Sequence, residues 1–478
     1  MNRFFIPGEG RRDFPKRSYA KLDQVEPPNA EEARKILFAF DAVDADWPGF
    51  EGGQMLSLED DPAAEARLSR FWAARFSPPD DRVIDGPDPF DALPMYRIDI
   101  TLGRHDPLAE KLLGMDGQWF EIGLNAEQGQ EVEVYGGLFM AAVPARLSHK
   151  PRPAAPAVKL ERLFSMEDWP DATRDELEAV LGGVACPIER LLMFDIGQGS
   201  ATALVCQCGN VISYFDVGCG VYRNAKTMPA TVSFCTHEPP TVILSHWDAD
   251  HWAGATVDKR LLAMTWVAPR QSISKVHKAL GNDILKGGGR ILIVPTALSP
   301  LVWGNPGQTF ELRRCTGTDR NGSGLALIAE DNGTQSGWLL TGDAAYNYVP
   351  GPLPANLTAV AVPHHGADMG KASIPPASPH PGYARLLYSF GPANAHGRTG
   401  VSHPTAAAVA AHNSAGWPQG AWAPPPAAMR LAGQPVLATA SHLTTHEQGI
   451  AVGWSGPPVP VLSGHAASCP DVMPVVQS

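Results

Sequence analysis

The stretch Ser245-His246-Trp247-Asp248-Ala249-Asp250-His251 decides how this chain is interpreted. It follows the apolar run Thr241–Leu244, which has the length and composition of a buried β-strand. Two imidazoles and two carboxylates therefore lie together at the end of a strand. Without a cation, so many polar groups beside a buried strand would repel one another or lack hydrogen-bond partners. The pattern predicts a metal site, and a polar turn with incidental histidines is the weaker interpretation.

Further candidate ligands follow later apolar runs. Asp343 ends the run 337–343, His364 and His365 end the run 357–365, and His403 lies between Ser402 and Pro404. Taken singly, they could be a capping aspartate, a surface pair and a loop histidine. Because each stands at the end of a predicted strand, together they predict one site built from several strand ends. Imidazole and carboxylate ligands suit Zn, Mn or Fe.

The alternation of candidate strands and helices around this motif predicts an α/β fold. From Leu191 to Trp454, short apolar runs alternate with glycine turns and with candidate helices. Strands are predicted at 191–196, 201–206, 211–218, 241–246, 291–295, 325–330, 337–343, 357–365 and 384–391, and helices near 258–262, 272–285 and 405–414. Strands interleaved with helices indicate sheets that are covered on their faces.

Residues 1–150 are expected to form a separate, small α+β domain of unknown role. Helices are predicted at Ala30–Phe40 and Pro62–Phe76, and strands at Met95–Leu102, Trp119–Leu124 and Glu131–Ala142. A Pro/Ala-rich stretch at 149–157 predicts a stiff linker. The predicted organisation is an N-terminal domain (1–150), a linker and a helix near Asp171–Leu181 (151–190), the metal-binding domain (191–464) and an irregular tail (465–478).

Composition narrows the class of protein. The chain has 478 residues and a net charge of −12, which argues against a broad basic surface for duplex DNA. No run of about 18 apolar residues and no signal-peptide pattern is present, so the expectation is a cytoplasmic protein without a membrane span. The seven scattered cysteines are expected to be free thiols in a reducing cytosol rather than a disulfide or a zinc site.

The motif His-x-Asp-x-Asp-His at 246–251 resembles the His-x-His-x-Asp-His pattern of the metallo-β-lactamase superfamily. Aspartate at the second ligand position is similar to the nuclease domain of the ComEC DNA-uptake family. Further motifs of that family are similar to Phe194–Ala201, Phe215–Gly218 and Asn321–Leu327. The motifs Thr-Gly-Asp, Pro-His-His-Gly and Ser-His-Pro follow one another in the same order as in the family, and residues 437–452 resemble its closing hairpin. The resemblance runs from Leu191 to Trp454, more than half of the chain.

Three departures from the ComEC pattern bear on the substrate. The family's channel-forming membrane helices are absent, so DNA uptake is not implied. Ser200 stands where the family has aspartate after Gly-Gln-Gly, and the loop Ala367–Lys371 replaces the usual residues after His-His-Gly. These changes affect loops near the predicted site rather than the predicted ligands.

The resemblance implies an αββα sandwich that binds two divalent metal ions, Zn or Mn. One ion would take His246, Asp248 and a third group. The other would take Asp250, His251 and either His365 or His364, with His365 favoured because superfamily ligands at this position commonly stand directly before glycine. Asp343 would bridge the two ions. Asp195 and Asp216 are expected to fix loops by hydrogen bonds.

For catalysis, the resemblance implies that Asp250 steers an attacking water or takes its proton. His403 is a candidate to stabilise charge on the leaving oxygen, and Lys371 a candidate to hold a phosphate. The expected function is a metal-dependent phosphodiesterase, a nuclease acting on DNA, with Lys371 and Arg398 as additional contacts to the nucleic acid. The alternatives are hydrolysis of a small molecule (a nucleotide messenger or an amide), and an effector subunit of a multi-protein defence system whose residues 1–150 bind a partner.

Overall fold

The computed structural model describes residues 1–29, 33–82, 87–115, 117–183, 186–298, 300–377, 384–417, 436–439, 447–454 and 459–462. The chain is mixed α/β and divides into two compact units. Unit 1 comprises Met1–Pro170, Ser272–Ile291 and Ala395–Val401, and unit 2 comprises Asp171–Gln271, Leu292–Asn394 and Ser402–Ser478. The predicted tail 465–478 lies outside the described residues.

The bounds of the regular elements are as follows. The helices are α1 (Pro62–Phe76), α2 (Pro89–Ala92), α3 (Pro107–Leu113), α4 (Ala157–Phe164), α5 (Arg174–Leu181), α6 (Gly254–Val257), α7 (Lys275–Lys286) and α8 (Ala406–Ser414). The strands are β1 (Arg17–Glu26), β2 (Lys35–Asp44), β3 (Met95–Gly103), β4 (Trp119–Asn125), β5 (Glu131–Tyr135), β6 (Val143–Leu147), β7 (Arg152–Pro153), β8 (Ile188–Phe194), β9 (Ala201–Cys206), β10 (Val211–Val217), β11 (Thr241–Ile243), β12 (Thr265–Pro269), β13 (Arg290–Val294), β14 (Leu301–Asn305), β15 (Gln308–Arg314), β16 (Leu325–Asp331), β17 (Ser336–Leu340), β18 (Leu357–Ala361), β19 (Arg385–Tyr388), β20 (Val436–Ala438), β21 (Glu447–Gly453) and β22 (Val459–Leu462).

Unit 1 contains an antiparallel sheet with the strand order β1-β2-β3-β5-β6-β4-β7, in which β1 also pairs with β4. The predicted helix at Pro62–Phe76 is confirmed as α1, and it begins where the Asp61 carboxylate accepts hydrogen bonds from two backbone N–H groups. The stretch predicted as linker is in part a strand, since Pro153 of β7 lies opposite Phe120 of β4. Residues 272–291, which the sequence assigns to the second domain, belong to unit 1 as helix α7 and its flanks.

The helix predicted at Ala30–Phe40 is wrong where the structure describes it. Residues from Lys35 onward form β2, which pairs with β1 on one side and β3 on the other. Every residue from Ile36 to Val43 is buried, so the strand shows no alternation of polar and apolar side chains. A strand covered on both faces and a buried helix give the same short apolar run, and acidic residues upstream favoured the wrong choice.

Unit 2 contains two sheets. The first has the order β13-β12-β11-β10-β9-β8-β21-β22, and the second has the order β14-β15-β16-β17-β18-β19-β20. Side chains of both contribute to one apolar core, in which Met193 and Ile243 of the first sheet join Leu327 and Trp338 of the second. Trp338 stacks on Trp454 with ring centroids 3.5 Å apart. The sheets therefore face each other, as layers of secondary structure do when each buries one apolar face.

Two further predictions are wrong within the described residues. The closing hairpin at 437–452 is not formed, because β20 pairs with β19 in the second sheet and β21 pairs with β8 in the first. Cys235 is disulfide-bonded, so it is not a free thiol. The cysteines that are free are Cys186, Cys206, Cys208, Cys219 and Cys315. Among the helices that the structure describes, none is both long and apolar enough to cross a membrane.

A buried carboxylate on α7 makes the stability of unit 1 depend on pH. Burial raises the pKa of Asp283 to about 7; the Met1 ammonium and Lys286 oppose this, whereas Asp91 and Asp88 add to it. Because the folded-state pKa is raised, the stability linked to the protonated group is complete below about pH 4 and is lost as the pH rises to about 7.

We therefore expect Asp283→Asn to raise the melting temperature at pH 8 and to have a much smaller effect at pH 5. A pKa shift of this size corresponds to at most roughly 4 kcal/mol. Glu110→Gln, which changes an exposed carboxylate of the same unit, is the control and should alter neither value. Thermal unfolding followed by circular dichroism at both pH values measures the difference. An Asp283→Asn protein less stable than the parent at pH 8 would contradict the argument.

Candidate metal centre

The predicted ligands lie at the ends of strands from both sheets of unit 2. His246, Asp248, Asp250 and His251 follow β11, Asp343 follows β17, and His364 and His365 follow β18. β11 is parallel to its neighbours β10 and β12, and β18 is parallel to β17 and β19. Neighbouring parallel strands end at the same edge of a sheet, so the turns after them bring their side chains together. The structure thus assembles these residues into one cluster.

The cluster is buried, except on one side. His246 and His251 are 0% exposed, and His365 and Asp343 are 3% and 4% exposed. The Asp250 side chain, in contrast, is 22% exposed. Two groups of three residues have ligand atoms within 4.8 Å of one another: His246, His251 and Asp343, and Asp250, His251 and His365. Several of the predicted residues could therefore hold a metal ion.

The carboxylate of Asp343 lies at the middle of the cluster. Its Oδ1 is 3.1 Å from Nε2 of His251 and 4.0 Å from Nε2 of His365. Its Oδ2 is 3.8 Å from Nε2 of His246 and 3.6 Å from Nε2 of His364. Each carboxylate oxygen thus faces a different pair of imidazoles. Asp343 therefore lies between all four imidazoles.

Hydrogen bonds on the far side of three imidazoles fix their tautomers. His251 Nδ1 donates to Asp216 Oδ2 at 2.7 Å, and His365 Nδ1 donates to the Ser389 carbonyl at 2.8 Å. His246 Nδ1 is 3.0 Å from the Ser245 hydroxyl, which donates its own proton to Asp216 and so accepts here. In the neutral imidazole, each Nε2 would therefore present a lone pair to the cluster. A metal-binding histidine is commonly held by such an outer hydrogen bond.

The Nε2 atoms of His246, His251 and His365 are buried and make no hydrogen bond among the described residues. Buried nitrogen atoms of this kind normally have a partner, and an unmade hydrogen bond costs about 1–3 kcal/mol. Three such atoms directed at the same carboxylates fit the coordination of cations. The donor set, imidazole nitrogen and carboxylate oxygen, is chemically suited to Zn or Mn.

Asp216 fixes the loop that carries the first ligands, as its predicted role required. Its Oδ1 accepts from the backbone N–H of Ser245 at 2.7 Å, and its Oδ2 accepts from the Ser245 hydroxyl at 2.8 Å as well as from His251. Asp216 is fully buried and has a positive φ of 62°. Left-handed backbone at a non-glycine residue persists only where the surroundings hold it, and it is common at functional sites.

His364 and His365 show the same kind of backbone. Their φ values are 48° and 54°, and they are followed by Gly366 at 84°. Two consecutive non-glycine residues in the left-handed region are costly, on the order of 1–3 kcal/mol each. This turn directs the two imidazoles to opposite oxygens of Asp343. The structure therefore brings both histidines to the cluster, and His365 belongs to the group with Asp250 and His251.

Glycines explain part of the motif at Phe194–Ala201. A Cβ on Gly218 would lie 1.6 Å from the carbonyl oxygen of Asp250, and one on Gly199 would lie 2.6 Å from it. The same carbonyl accepts a hydrogen bond from the backbone N–H of Ser200 at 3.0 Å. The loop with Asp250 is thus seated directly on two glycine-containing turns, and a side chain at either position would displace it.

Sequence reasoning missed Arg320. Its Nε donates to Asp248 Oδ1, while Asp248 Oδ2 lies 3.6 Å from Nε2 of His246. Burial would raise the pKa of Asp248, but the charges of Arg320 and His246 outweigh it and hold that pKa far below its usual range. Arg320 precedes the Asn321–Leu327 motif, and no spacing in the sequence relates it to His246 or Asp248. One predicted ligand is therefore paired with an arginine in this structure.

The charges of the cluster favour a cation. Burial alone would lower the pKa of His251, yet the carboxylates of Asp343 and Asp216 outweigh it and hold that pKa well above the ordinary value. Burial would raise the pKa of Asp343, but the surrounding imidazoles keep it well below its usual range. The carboxylates thus create a field strong enough to favour protonated histidine, which is the field that a divalent ion would experience.

Two residues predicted to be catalytic lie apart from these contacts. His403 is 0% exposed, its ring centroid is 5.5 Å from that of His364, and its backbone is held by Asn394 at 2.6 and 2.8 Å. Burial, together with His364 and His365, lowers the pKa of His403 well below the ordinary value. Lys371 is exposed on a 3₁₀ turn, where its carbonyl accepts a hydrogen bond from Asn347.

In comparison with known proteins, no family model matches the chain, and no curated protein matches its sequence. The interpretation of the cluster therefore depends on its own geometry.

We expect Asp216→Asn to weaken metal binding by 10- to 100-fold, the usual cost of losing a partner of a metal ligand. An amide cannot accept from the serine backbone, the serine hydroxyl and the imidazole as the carboxylate does. Competition with a chromophoric chelator measures the affinity. Asp258→Asn is the matched control, since it removes another buried, hydrogen-bonded carboxylate of unit 2. Equal affinities in the two variants would show that Asp216 does not support the ligands.

Proposed function

We propose that the chain is a metal-dependent hydrolase of the metallo-β-lactamase fold, and that it cleaves phosphodiesters in nucleic acid, with DNA as the preferred substrate. The observation that carries the proposal is the position of Asp343, whose two oxygens face separate pairs of imidazoles. The two facing sheets of unit 2 and their shared core support an αββα sandwich. The resemblance at 246–251 to the ComEC nuclease domain supports the choice of phosphodiester.

The donors divide into two sets around Asp343. One set contains His246 and His364, with Asp248 beside His246; the other contains His251, His365 and Asp250. In this proposal, His364 is the third group of the first set, so both histidines of the pair are ligands. Two divalent ions held there would stabilise charge on the reacting phosphate and acidify a water molecule. The abundance of carboxylate favours Mn beside Zn.

Asp250 is the residue best placed to handle the proton of the attacking water. Its Oδ2 lies 3.2 Å from His365 Nε2, and its side chain is more exposed than those of Asp248 and Asp343. A carboxylate at the open side of the site can both orient a water and accept its proton. The full burial of His403 against His364 favours a role in positioning His364 over direct contact with the leaving oxygen.

Contacts to the nucleic acid are expected to be few. The net charge is −12, and Arg398, a predicted contact, is already paired with Glu131 at 2.6 Å and Glu133 at 3.6 Å. Phosphate binding would depend on the metal centre and on the exposed Lys371, since Arg320 at the edge of the centre is itself paired with Asp248. Weak, salt-sensitive binding follows, so short single strands and ends should be cut more readily than intact duplex.

The acidic surface also supports the second candidate, hydrolysis of a small molecule such as a nucleotide messenger or an amide. The separate sheet of unit 1 is compatible with the further idea of an effector whose N-terminal part binds a protein partner. Both alternatives use the same metal centre, so the substrate assay decides between them and the nuclease.

We expect Asp250→Ala to reduce hydrolysis by at least about a thousandfold while the protein stays folded, because it removes both a ligand and the proton acceptor. Assays with Mn and with Zn on single-stranded DNA, duplex DNA, RNA and a simple phosphodiester measure the loss. Asp175→Ala on the exposed face of α5 is the control and should keep full activity. If the metal-loaded parent left all nucleic acids intact and hydrolysed a cyclic nucleotide or an amide, the second candidate would replace the first.

We also expect His364→Ala and His365→Ala each to lower the metal content from two ions per chain towards one. Each removes a donor that faces a different oxygen of Asp343. Elemental analysis of the purified variants gives the number of metal ions per chain. His412→Ala is the control, because His412 is a buried histidine that is hydrogen-bonded to Tyr346 and not part of the cluster. Parental metal content in His364→Ala would remove that residue from the ligand set.

A further inference from the structure

Three cysteines of unit 2 form a cluster away from the centre described above. Cys206 is the last residue of β9, Cys208 lies in the turn that leads to β10, and Cys186 precedes β8. The opposite end of β9 adjoins the metal centre, since the backbone N–H of Ser200 donates a hydrogen bond to the carbonyl of Asp250. At about 3.3 Å per residue, the length of β9 separates the cluster from that centre by roughly 17 Å. The cysteines therefore cannot share its ions.

The sulfur atoms are close enough to bind one ion. All three lie within 4.8 Å of one another, and Sγ of Cys186 is 3.3 Å from Sγ of Cys208. Zn–S bonds of about 2.3 Å in tetrahedral geometry place sulfur atoms about 3.8 Å apart. A disulfide, with sulfur atoms about 2.0 Å apart, would use only two of the three thiols. A shared cation would use all three.

The local backbone places the thiols. Cys206 lies opposite Ile188 in the pairing of β8 with β9, which brings Cys186 to the same end of the two strands. The turn is closed by hydrogen bonds from Cys206 N to Asn210 O at 3.0 Å and from Gly209 N to Cys206 O at 2.9 Å. Gly209 has a φ of 86°, which only glycine adopts readily. Cys206 thus stands at the start of a tight turn, and Cys208 lies within it.

We propose that Cys186, Cys206 and Cys208 form a third metal site, which binds a thiophilic Zn²⁺ ion and joins the start of β8 to the β9–β10 turn. Thiolates select zinc over the harder ions that suit a carboxylate-rich centre. Binding releases the thiol protons to solvent, and one position of a tetrahedral ion is left for water. The start of β8 is held in place, because the backbone of Ile188 is hydrogen-bonded to the side chains of Gln308 and Trp454. The inference does not rest on the proposed hydrolase activity.

The test uses the full-length protein, purified under reducing conditions without chelator and analysed for zinc. Cys208 is exposed, so Cys208→Ser should fold and should contain one zinc ion fewer per chain than the parent. Cys315→Ala is the matched control and should keep the parental content. Asp250→Ala should lose ions of the hydrolytic centre yet keep the thiolate-bound ion, which separates failure of this inference from failure of the proposed function.

Cobalt substitution gives a second readout. The near-ultraviolet sulfur-to-cobalt charge-transfer absorption should be present in the parent and in Asp250→Ala, and absent from Cys208→Ser. Equal zinc content in Cys208→Ser and the parent would overturn the proposal. So would titration of thiols in the denatured, unreduced protein that showed Cys186 joined to Cys208 by a disulfide.

Discussion

The buried carboxylate of Asp343 is the constraint on which the arrangement of unit 2 depends. A carboxylate that is 4% exposed and has imidazoles on both sides is unfavourable unless positive charge compensates it. Several features of the fold contribute to that compensation. The strained turn at His364 and His365 supplies two of the imidazoles, Asp216 orients a third, and Ser245 orients the fourth. The backbone strain and the unbonded Nε2 atoms are intelligible as features of a site that binds cations.

Hydrogen bonds outside the cluster hold the candidate ligands in position. Asp216 bonds to His251 through Nδ1, the ring nitrogen that faces away from the cluster. Together with its two hydrogen bonds to Ser245, this contact holds both residues in place. Gly199 and Gly218 act in the same way on the backbone, because they let the loop with Asp250 come into van der Waals contact with neighbouring turns. The motifs around Asp195–Ala201 and Phe215–Gly218 therefore have a physical reason that does not depend on resemblance. They support the loop that carries residues 246–251.

Much of this was predictable from the sequence. The clustered ligands at 246–251 and the strand-end positions of Asp343 and of His364 and His365 follow from local patterns, and the structure brings these residues together. The helix α1 was predictable because Asp61 and Pro62 mark its start. β12 was not predicted, and β2 was taken for a helix, because periodicity is lost in strands that are buried on both faces.

Contacts between residues distant in sequence were beyond prediction. Arg320 reaches Asp248 across 72 positions, and the three cysteines converge only because β8 pairs with β9. The assignment of α7 to unit 1 also depends on contacts between residues distant in sequence. The amphipathic pattern of the helix predicts that one face is covered, but it does not identify the part of the chain that covers it. An isolated sequence motif carries no information about such partners.

The assignment of α7 has a consequence for how the protein is made. Unit 1 consists of Met1–Pro170 together with Ser272–Ile291 and Ala395–Val401. Eleven residues of α7, from Lys275 to Leu285, are buried. When residue 170 leaves the ribosome, helix α7, which belongs to unit 1, has therefore not been synthesised, and more than a hundred residues of unit 2 must follow first. Domains usually fold in order as they emerge. Here unit 1 cannot be completed until the part of unit 2 that precedes α7 has been synthesised, so the order of synthesis does not match the order of the units.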